Sequence, residues 1–291
     1  MKVPPWVPKT LSSLYDNVVC RRGVVMLESR TQAIPDVPPT AISVAIPHYR
    51  RGPLIHRPLK NLLHDPRIAE VVIVDDGSPL EEFRVLEKAV QEFNHSGKIR
   101  LVRRDENLGA QATKIDCVAE ASHEWVLLLD SDNTAFRSYL DAFFDLPHRD
   151  ASTIYCAPKA FPYFSFAPLA GKTMDWAACV EWTRSKLLRR VYIMNDGNYI
   201  VNRQAYVDVI GPLRDLRRDV VDVLVANYLW LSQGGKLHIL PYGAYHHRID
   251  ASSFWLRTAE ESRDRLMKTF ARIEEGKPWD DDFLQDLKHH F

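Results

Sequence analysis

Between Ile42 and Leu129, short apolar runs alternate with helix-length amphipathic segments, and this alternation constrains the fold more than any other feature of the chain. Ile42–Pro47 (ISVAIP) reads as a buried strand, with a helical stretch around Leu54–Leu63 after it. Glu70–Val74 (EVVIV) is a second strand, followed by an amphipathic helix over Leu80–Phe93. Ile99–Arg103 is a third, then a helix over Ala110–Ala121, and Glu124–Leu129 (EWVLLL) is the fourth. Successive βαβ units of this kind predict an α/β fold: a Rossmann-like, mostly parallel central sheet with helices on both faces.

After Ala151 the regularity weakens. Ser152–Pro158, Asn198–Asn202 and Lys236–Leu240 read as strands, and Asp219–Ser232 and Thr258–Glu275 as helices. Residues 159–172 are irregular, aromatic and Pro-containing. The expected organisation is an extension and linker over residues 1–40, a first half over 41–150, a second over 151–255, and a C-terminal helical extension over 256–291.

Composition removes several classes. The 291 residues carry 38 basic and 38 acidic side chains, so there is no electrostatic footprint for duplex nucleic acid. Cys20, Cys117, Cys156 and Cys179 lie far apart without metal-type spacing. Cys117 falls in a helical pattern and Cys156 in a strand pattern, as small buried apolar residues do. A reducing cytoplasm is the simplest compartment for such a set. The first ten residues lack the apolar centre of a secretory signal. No apolar run reaches the length that spans a membrane, although peripheral attachment stays open.

Ligands of an open parallel sheet bind at the carboxyl ends of its strands. After the first strand comes Pro47-His48-Tyr49-Arg50, and after the second Asp75-Asp76-Gly77-Ser78. Asn107-Leu108-Gly109-Ala110 follows the third, and Asp130-Ser131-Asp132-Asn133 the fourth. Four polar constellations are thus expected at one edge of one sheet. The carboxylates of Asp130 and Asp132 would repel each other unless something cationic lay between them. Mg²⁺ or Mn²⁺ shared with substrate phosphates does this with hard oxygen ligands; the plainer reading is a solvated loop that caps the next helix. Asp75–Ser78 reads either as a tight turn with Ser78 as helix cap, or as carboxylates accepting from a nucleobase N–H and ribose hydroxyls. Asn107–Ala110 reads either as helix initiation capped by Asn107, or as close backbone approach of Gly109 to a nucleotide.

Together these residues resemble the GT-A glycosyltransferases, in particular the family 2 group. Its members have a first strand ending in Pro-x-Tyr-Asn, a second ending in Asp-Asp-Gly-Ser, an Asn-x-Gly before a helix, and a fourth strand ending in Asp-x-Asp. The one departure is Arg50 where Asn is common. The resemblance implies a nucleotide-sugar-binding half over 41–150 and an acceptor-binding, catalytic half over 151–255. It implies an inverting hexosyl transfer from a nucleotide sugar, UDP-linked by preference, to a hydroxyl acceptor in glycan or glycoconjugate synthesis, with Mn²⁺ or Mg²⁺ as cofactor. It places Pro47, Tyr49, Asp75, Asp76, Asn107, Gly109, Asp130 and Arg248 around the nucleotide, with Asp76 on the base. Asp130 and Asp132 would hold the metal, joined by His247 or its neighbour His246. The general base would be Asp222, with Asp219 one turn earlier as its substitute. Plainer readings are a helix N-terminal acid for either aspartate and polar surface for the histidine pair. Phe161, Tyr163, Phe164, Phe166, Trp176 and Trp182 are candidate acceptor contacts, or core.

Two other classes remain. A nucleotidyltransferase ranks lower, since it would carry a Gly-rich, Arg-containing phosphate loop after the first strand. An inactive nucleotide- or sugar-binding module on the same fold is the alternative outside the enzymes.

Overall fold

The computed structural model describes residues 41–214, 222–249 and 266–289. The strands in chain order are β1 (Ile42–His48), β2 (Ile68–Asp75), β3 (Ile99–Arg103), β4 (Trp125–Leu128), β5 (Thr134–Ala135) and β6 (Thr153–Cys156). They continue as β7 (Lys159–Phe161), β8 (Phe164–Ser165), β9 (Thr173–Met174), β10 (Tyr199–Asn202), β11 (Lys236–Ile239) and β12 (Tyr245–His246). An eight-stranded sheet has the order β3-β2-β1-β4-β10-β6-β11-β9, and a smaller sheet the order β5-β12-β7-β8. The strands from β1 to β4 pair in parallel, as the alternation predicts, with His56–Leu62, Leu80–Phe93 and Ala110–Glu120 as their helices.

Side chains alternate across the sheet because successive Cβ atoms point to opposite faces. Ile42, Val44 and Ile46 pack on the face covered by His56–Leu62, Leu80–Phe93 and Arg137–Phe144. Ala45, Val126 and Leu128 pack on the other face, with the helices Ala110–Glu120, Trp176–Arg184, Arg203–Ile210 and Asp222–Ser232. Cys117, Cys156 and Cys179 are buried there, as small apolar residues.

Two features of topology build the site. The first is β10, which runs antiparallel to both β4 and β6. Its register sets Ile200 opposite Leu127 and Asn202 opposite Trp125, so the residues preceding β10 arrive at the carboxyl end of β4. The second is the small sheet. β5 begins two residues after Asp132 and pairs with β12, setting Tyr245 opposite Ala135 and His246 opposite Thr134. That pairing delivers His247 and Arg248 to the edge where β4 ends.

The described helix over 266–275 falls within the expected Thr258–Glu275 segment, whose first part lies outside the described residues. Arg137–Phe144, Trp176–Arg184, Arg203–Ile210 and Asp281–His289 add helices that the alternation did not mark. No helix among the described residues is long and apolar enough to cross a membrane.

Candidate active site

The first two strand ends are braced from within. Asp75 is buried, and its Oδ1 accepts from His48 Nδ1 at 2.8 Å and from Ser78 Oγ at 2.6 Å, while Oδ2 accepts from the Ser78 N–H at 3.0 Å. Burial alone would raise its pKa, but these hydrogen bonds outweigh it and hold the carboxyl below its ordinary value. Ser78 therefore serves Asp75 rather than capping the next helix, whose N-cap is Pro79. His48 Nε2 in turn accepts from the Arg51 N–H at 3.2 Å.

Asp76 is turned toward the third constellation. Its Oδ1 accepts from the Leu108 N–H at 2.9 Å and from Arg104 at 3.0 Å, and its Oδ2 from the Gly109 N–H at 3.0 Å. Arg104 is itself ion-paired with Asp116. The helix Ala110–Glu120 begins at Gly109, with φ of +97° and no side-chain cap, so Asn107 is not its cap. Gly77 explains why that turn can lie so close. It has φ of +65°, and a Cβ there would come within 2.5 Å of the Glu106 carbonyl carbon. Arg50 has φ of +56°, a left-handed conformation that asparagine adopts readily, which accounts for Asn being common at this position on backbone grounds. Tyr49 beside it is exposed.

Asp130 and Asp132 stand beyond β4. Asn198 Oδ1 accepts from the Asp130 backbone N–H at 2.9 Å, and Asn198 Nδ2 donates to Asp130 Oδ2 at 3.1 Å. Asn133 Nδ2 donates to Asn198 Oδ1 at 3.1 Å and to Asp130 Oδ2 at 3.3 Å, and lies 3.4 Å from His247 Nδ1. Asn133 Oδ1 accepts from the Arg248 N–H at 2.9 Å. Lys114 Nζ, nearly buried, stands 3.7 Å from Asp130 Oδ1. Asp132 is buried, with Arg51 Nη1 at 2.5 Å from Oδ2 and Arg248 Nη1 at 3.8 Å from the same oxygen. Burial raises the pKa of Asp132, with Arg51 opposing and Asp130 reinforcing the shift.

Of the two histidines, His247 faces this cluster. Burial lowers its pKa, against the pull of Asp130, so the imidazole is held neutral near pH 7. His246 is also pushed down by burial, with the charges of Arg57 and Arg248 adding to the shift. Two faces of an extended segment separate them.

Behind the edge lies Asp196, buried, with Oδ1 accepting from Tyr245 Oη at 2.8 Å and from the Asn198 N–H at 3.0 Å. Gly197 lets the segment pass close to its neighbours. A Cβ there would stand 2.7 Å from Val223 Cγ2 and 3.1 Å from Lys114 Nζ. Val223 is the second residue of the helix that Asp222 opens, so that helix starts at the same edge. Asp219 lies outside the described residues.

The aromatic candidates divide. Phe166 is buried, and Trp176 and Trp182 pack against the core. Tyr163 is 47% exposed and stands edge-on to His247 at 6.4 Å between ring centroids, with Phe164 at 5.8 Å from the same imidazole. Arg51, Lys114, Asn198 and Asp196 line the candidate site and were not singled out by the sequence reading, which named Asn133 only as the end of the fourth constellation. The available signal was chemical: a lysine on the buried face of a helix, and Asp-Gly-Asn directly before an apolar strand.

The donor chemistry suits a hard divalent ion: two carboxylates at one strand end and a neutral imidazole beside them. Among the described residues no group of three or more His, Cys, Asp or Glu is gathered into a cage.

Comparison with known proteins agrees with this geometry. The glycosyl transferase family 2 model matches residues 43–165, which include the first three constellations and Asp130–Asp132. The succinoglycan biosynthesis protein ExoU of Rhizobium meliloti (strain 1021) is 30% identical over 98 residues, covering 34% of this chain and 28% of ExoU. Among solved structures, the mannosyltransferase PcManGT from Pyrobaculum calidifontis, in complex with GDP-Man and Mn²⁺, superposes with a TM-score of 0.59. It is 15% identical, over 93% of this chain and 75% of that one. S. aureus TarS 1-349 gives a TM-score of 0.52 at 19% identity, over 70% of this chain and 59% of that one. In its complex with UDP-GlcNAc the TM-score is 0.57 at 17% identity, over 85% and 70%. At such identities the structures establish the fold, while the family model and the motifs establish kinship. Residues 43–165 are a glycosyl transferase family 2 domain, and the chain has the GT-A fold.

Proposed function

We propose that this chain is a metal-dependent glycosyltransferase that moves a sugar, with inversion, from a nucleotide sugar to a hydroxyl acceptor. The observation that carries the reading is the edge where Asp130, Asp132 and His247 meet Arg51, Lys114 and Arg248. Departure of a nucleoside diphosphate builds negative charge on its β-phosphate, and a site for that step needs cations whose counter-charges are already fixed in place. Asn198 and Asn133 fix Asp130; the small sheet fixes His247 and Arg248.

Asp130, Asp132 and His247 would hold Mn²⁺ or Mg²⁺. When bound, such an ion acts as a Lewis acid toward the diphosphate oxygens. Arg248 and Lys114 would face the same diphosphate. Pro47, Tyr49 and the Asn107–Gly109 turn would border the base and ribose. Asp75 and Asp76 would serve them by bracing those segments, Asp76 through the N–H groups of Leu108 and Gly109. Asp222, or Asp219, would accept the proton of the acceptor hydroxyl as it attacks the anomeric carbon.

UDP is the favoured nucleotide, in keeping with the TarS complexes, although PcManGT holds GDP-Man. The matched stretch spans only 28% of ExoU, a succinoglycan biosynthesis protein, so synthesis of a polysaccharide or glycoconjugate is inferred from the shared domain. The test is Mn²⁺-dependent hydrolysis and transfer from a panel of UDP-, GDP- and dTDP-sugars, with thermal shift by the free nucleotides. Metal-dependent release of one nucleoside diphosphate is expected. Nucleotide binding without turnover on any donor would point to the inactive module, and no binding at all would overturn the proposal.

A further inference from the structure

Arg51 stands out among the cations of the site. Its Nη1 lies 2.5 Å from Asp132 Oδ2, the same oxygen that Arg248 approaches at 3.8 Å. The Asp132 side chain is 5% exposed and that of Arg51 is 24% exposed, so the guanidinium covers a buried carboxylate from the solvent side. The Arg51 backbone is held independently, through its N–H to His48 Nε2. The side chain can therefore leave Asp132 while the turn stays in place. Asp130 is different: Asn198 and Asn133 hold its Oδ2 and backbone in a fixed orientation.

We propose that Arg51 is an exchange residue: it occupies Asp132 in the donor-free site and transfers to the donor's diphosphate when a divalent ion takes that carboxylate. This rests on the glycosyltransferase reading of the site. The physical reason is exclusion. An ion bound at Asp132 Oδ2 and a guanidinium hydrogen-bonded to that oxygen compete for the same lone pairs, and their charges repel at short range. A diphosphate arriving with the ion gives the displaced guanidinium an anionic partner to which it can bond in bidentate fashion. No covalent step is involved.

The consequence is linkage. Metal alone must displace Arg51 without compensation and binds weakly; metal with nucleotide does not suffer that loss. Each therefore strengthens the other, by the same factor in both directions. Arg51 suppresses futile metal binding and tightens the ternary complex.

The test is Mn²⁺ binding to the full chain, read from the electron paramagnetic resonance signal of free Mn²⁺, with and without UDP or GDP. Replacing Arg51 should move the two affinities in opposite directions. Arg51→Met should bind Mn²⁺ alone roughly tenfold more tightly than wild type, the scale of one lost hydrogen-bonded ion contact, yet bind Mn²⁺ with nucleotide roughly tenfold more weakly. Arg51→Lys, which keeps the charge on a shorter reach, should lie between and guards against misfolding of the first variant. In an Asp132→Asn background the Arg51→Met gain in Mn²⁺ affinity should vanish. Unchanged or weaker binding of Mn²⁺ alone in Arg51→Met would overturn the proposal. So would a loss that is equal with and without nucleotide. If wild type binds none of UDP, GDP or dTDP in Mn²⁺, the glycosyltransferase reading fails, but the metal-alone comparison still decides whether Arg51 guards Asp132.

Discussion

Asn198 holds Asp130 from two sides, accepting its backbone N–H at 2.9 Å and donating to its Oδ2 at 3.1 Å. The two residues are far apart in sequence and meet because β10 runs against β4, so that the start of one strand lies beside the end of the other. Asn198 is itself tied down, by its N–H to Asp196 and by its carbonyl, which accepts from Tyr139 Oη at 2.9 Å. A carboxylate in this position does not need to search for its orientation when a ligand arrives. Preorganisation of this kind is what lets a site stabilise developing charge without reorganising during the reaction.

Asn198→Ala should therefore weaken nucleotide binding in Mn²⁺ more than it lowers stability. Removing a hydrogen bond to a charged group costs about 1.5–3 kcal/mol, corresponding to a loss of roughly tenfold or more in affinity. Calorimetric titration of UDP with Mn²⁺, alongside thermal melts, checks this. Asn198→Asp should be worse than Asn198→Ala, since it places a second carboxylate against Asp130. Equal nucleotide affinity in all three proteins would remove Asn198 from the site.

Asp76 makes a different kind of prediction, because its carboxylate is engaged by Leu108, Gly109 and Arg104. Asp76→Ala frees the turn that opens the Ala110–Glu120 helix and leaves Arg104 with Asp116 and Thr113. Nucleotide binding should weaken with and without metal, by about tenfold, since each lost bond to a charged acceptor is worth 1.5–3 kcal/mol before the loop relaxes. Asp132→Asn, by contrast, should remove mainly the metal-dependent part. Titration of UDP in EDTA and in Mn²⁺ separates the two variants.

Asp196 should leave a pH signature in stability. Burial raises its pKa from 3.8 to about 7, against the hydrogen bonds from Asn198 and Tyr245 and with Asp130 adding to the rise. A group that holds its proton more tightly when folded contributes no penalty below its unfolded pKa. The penalty grows as pH rises through that value and is complete above the folded pKa. Wild type should thus lose stability between about pH 4 and pH 7 relative to Asp196→Asn, which does not titrate. A shift of this size corresponds to a few kcal/mol, on the order of 4, at pH 8. Melting temperatures of both proteins from pH 4 to pH 8 test it: parallel curves would mean that Asp196 does not titrate in this range.

Much of this was legible in the sequence. The strands β1 to β4 are continuous apolar runs because both faces of their sheet are covered, and the Leu80–Phe93 helix between β2 and β3 turns Leu86 and Val90 to the core. The Asp130-x-Asp132 pair and the segment containing His247 and Arg248 could be placed by motif, and pairing of β5 with β12 brings them together. The rest depends on facts that one strand at a time does not carry. Asn198 acquires its place only from the reversed direction of β10, and a sequence pattern of period two is the same in either direction. Lys114 sits on the buried face of its helix, where spacing alone suggests core. Asp75 and Asp76 were legible as carboxylates of a tight turn, but which N–H groups they meet is set by loop packing around Gly77. Arg51 follows a motif without being part of it, and its contact with Asp132 crosses two strand ends.

The general-base proposal turns on where one helix begins. The Asp222–Ser232 helix begins next to Gly197, since a Cβ on Gly197 would touch both Val223 and Lys114. Lys114 reaches Asp130, and Gly197 precedes the residue that clamps it. The first turn of this helix thus starts at the edge where the donor's diphosphate is proposed to lie. If Asp222 is the proton acceptor, Asp222→Asn should bind UDP and Mn²⁺ as wild type does and lower turnover by roughly 10²–10⁴-fold, the usual contribution of a positioned base. Loss of a metal ligand would instead impair donor binding together with turnover. Steady-state kinetics and titration on the same preparations distinguish these outcomes. Near-normal turnover in Asp222→Asn with a large loss in Asp219→Asn would move the role to Asp219, and near-normal turnover in both would rule out a base from this segment.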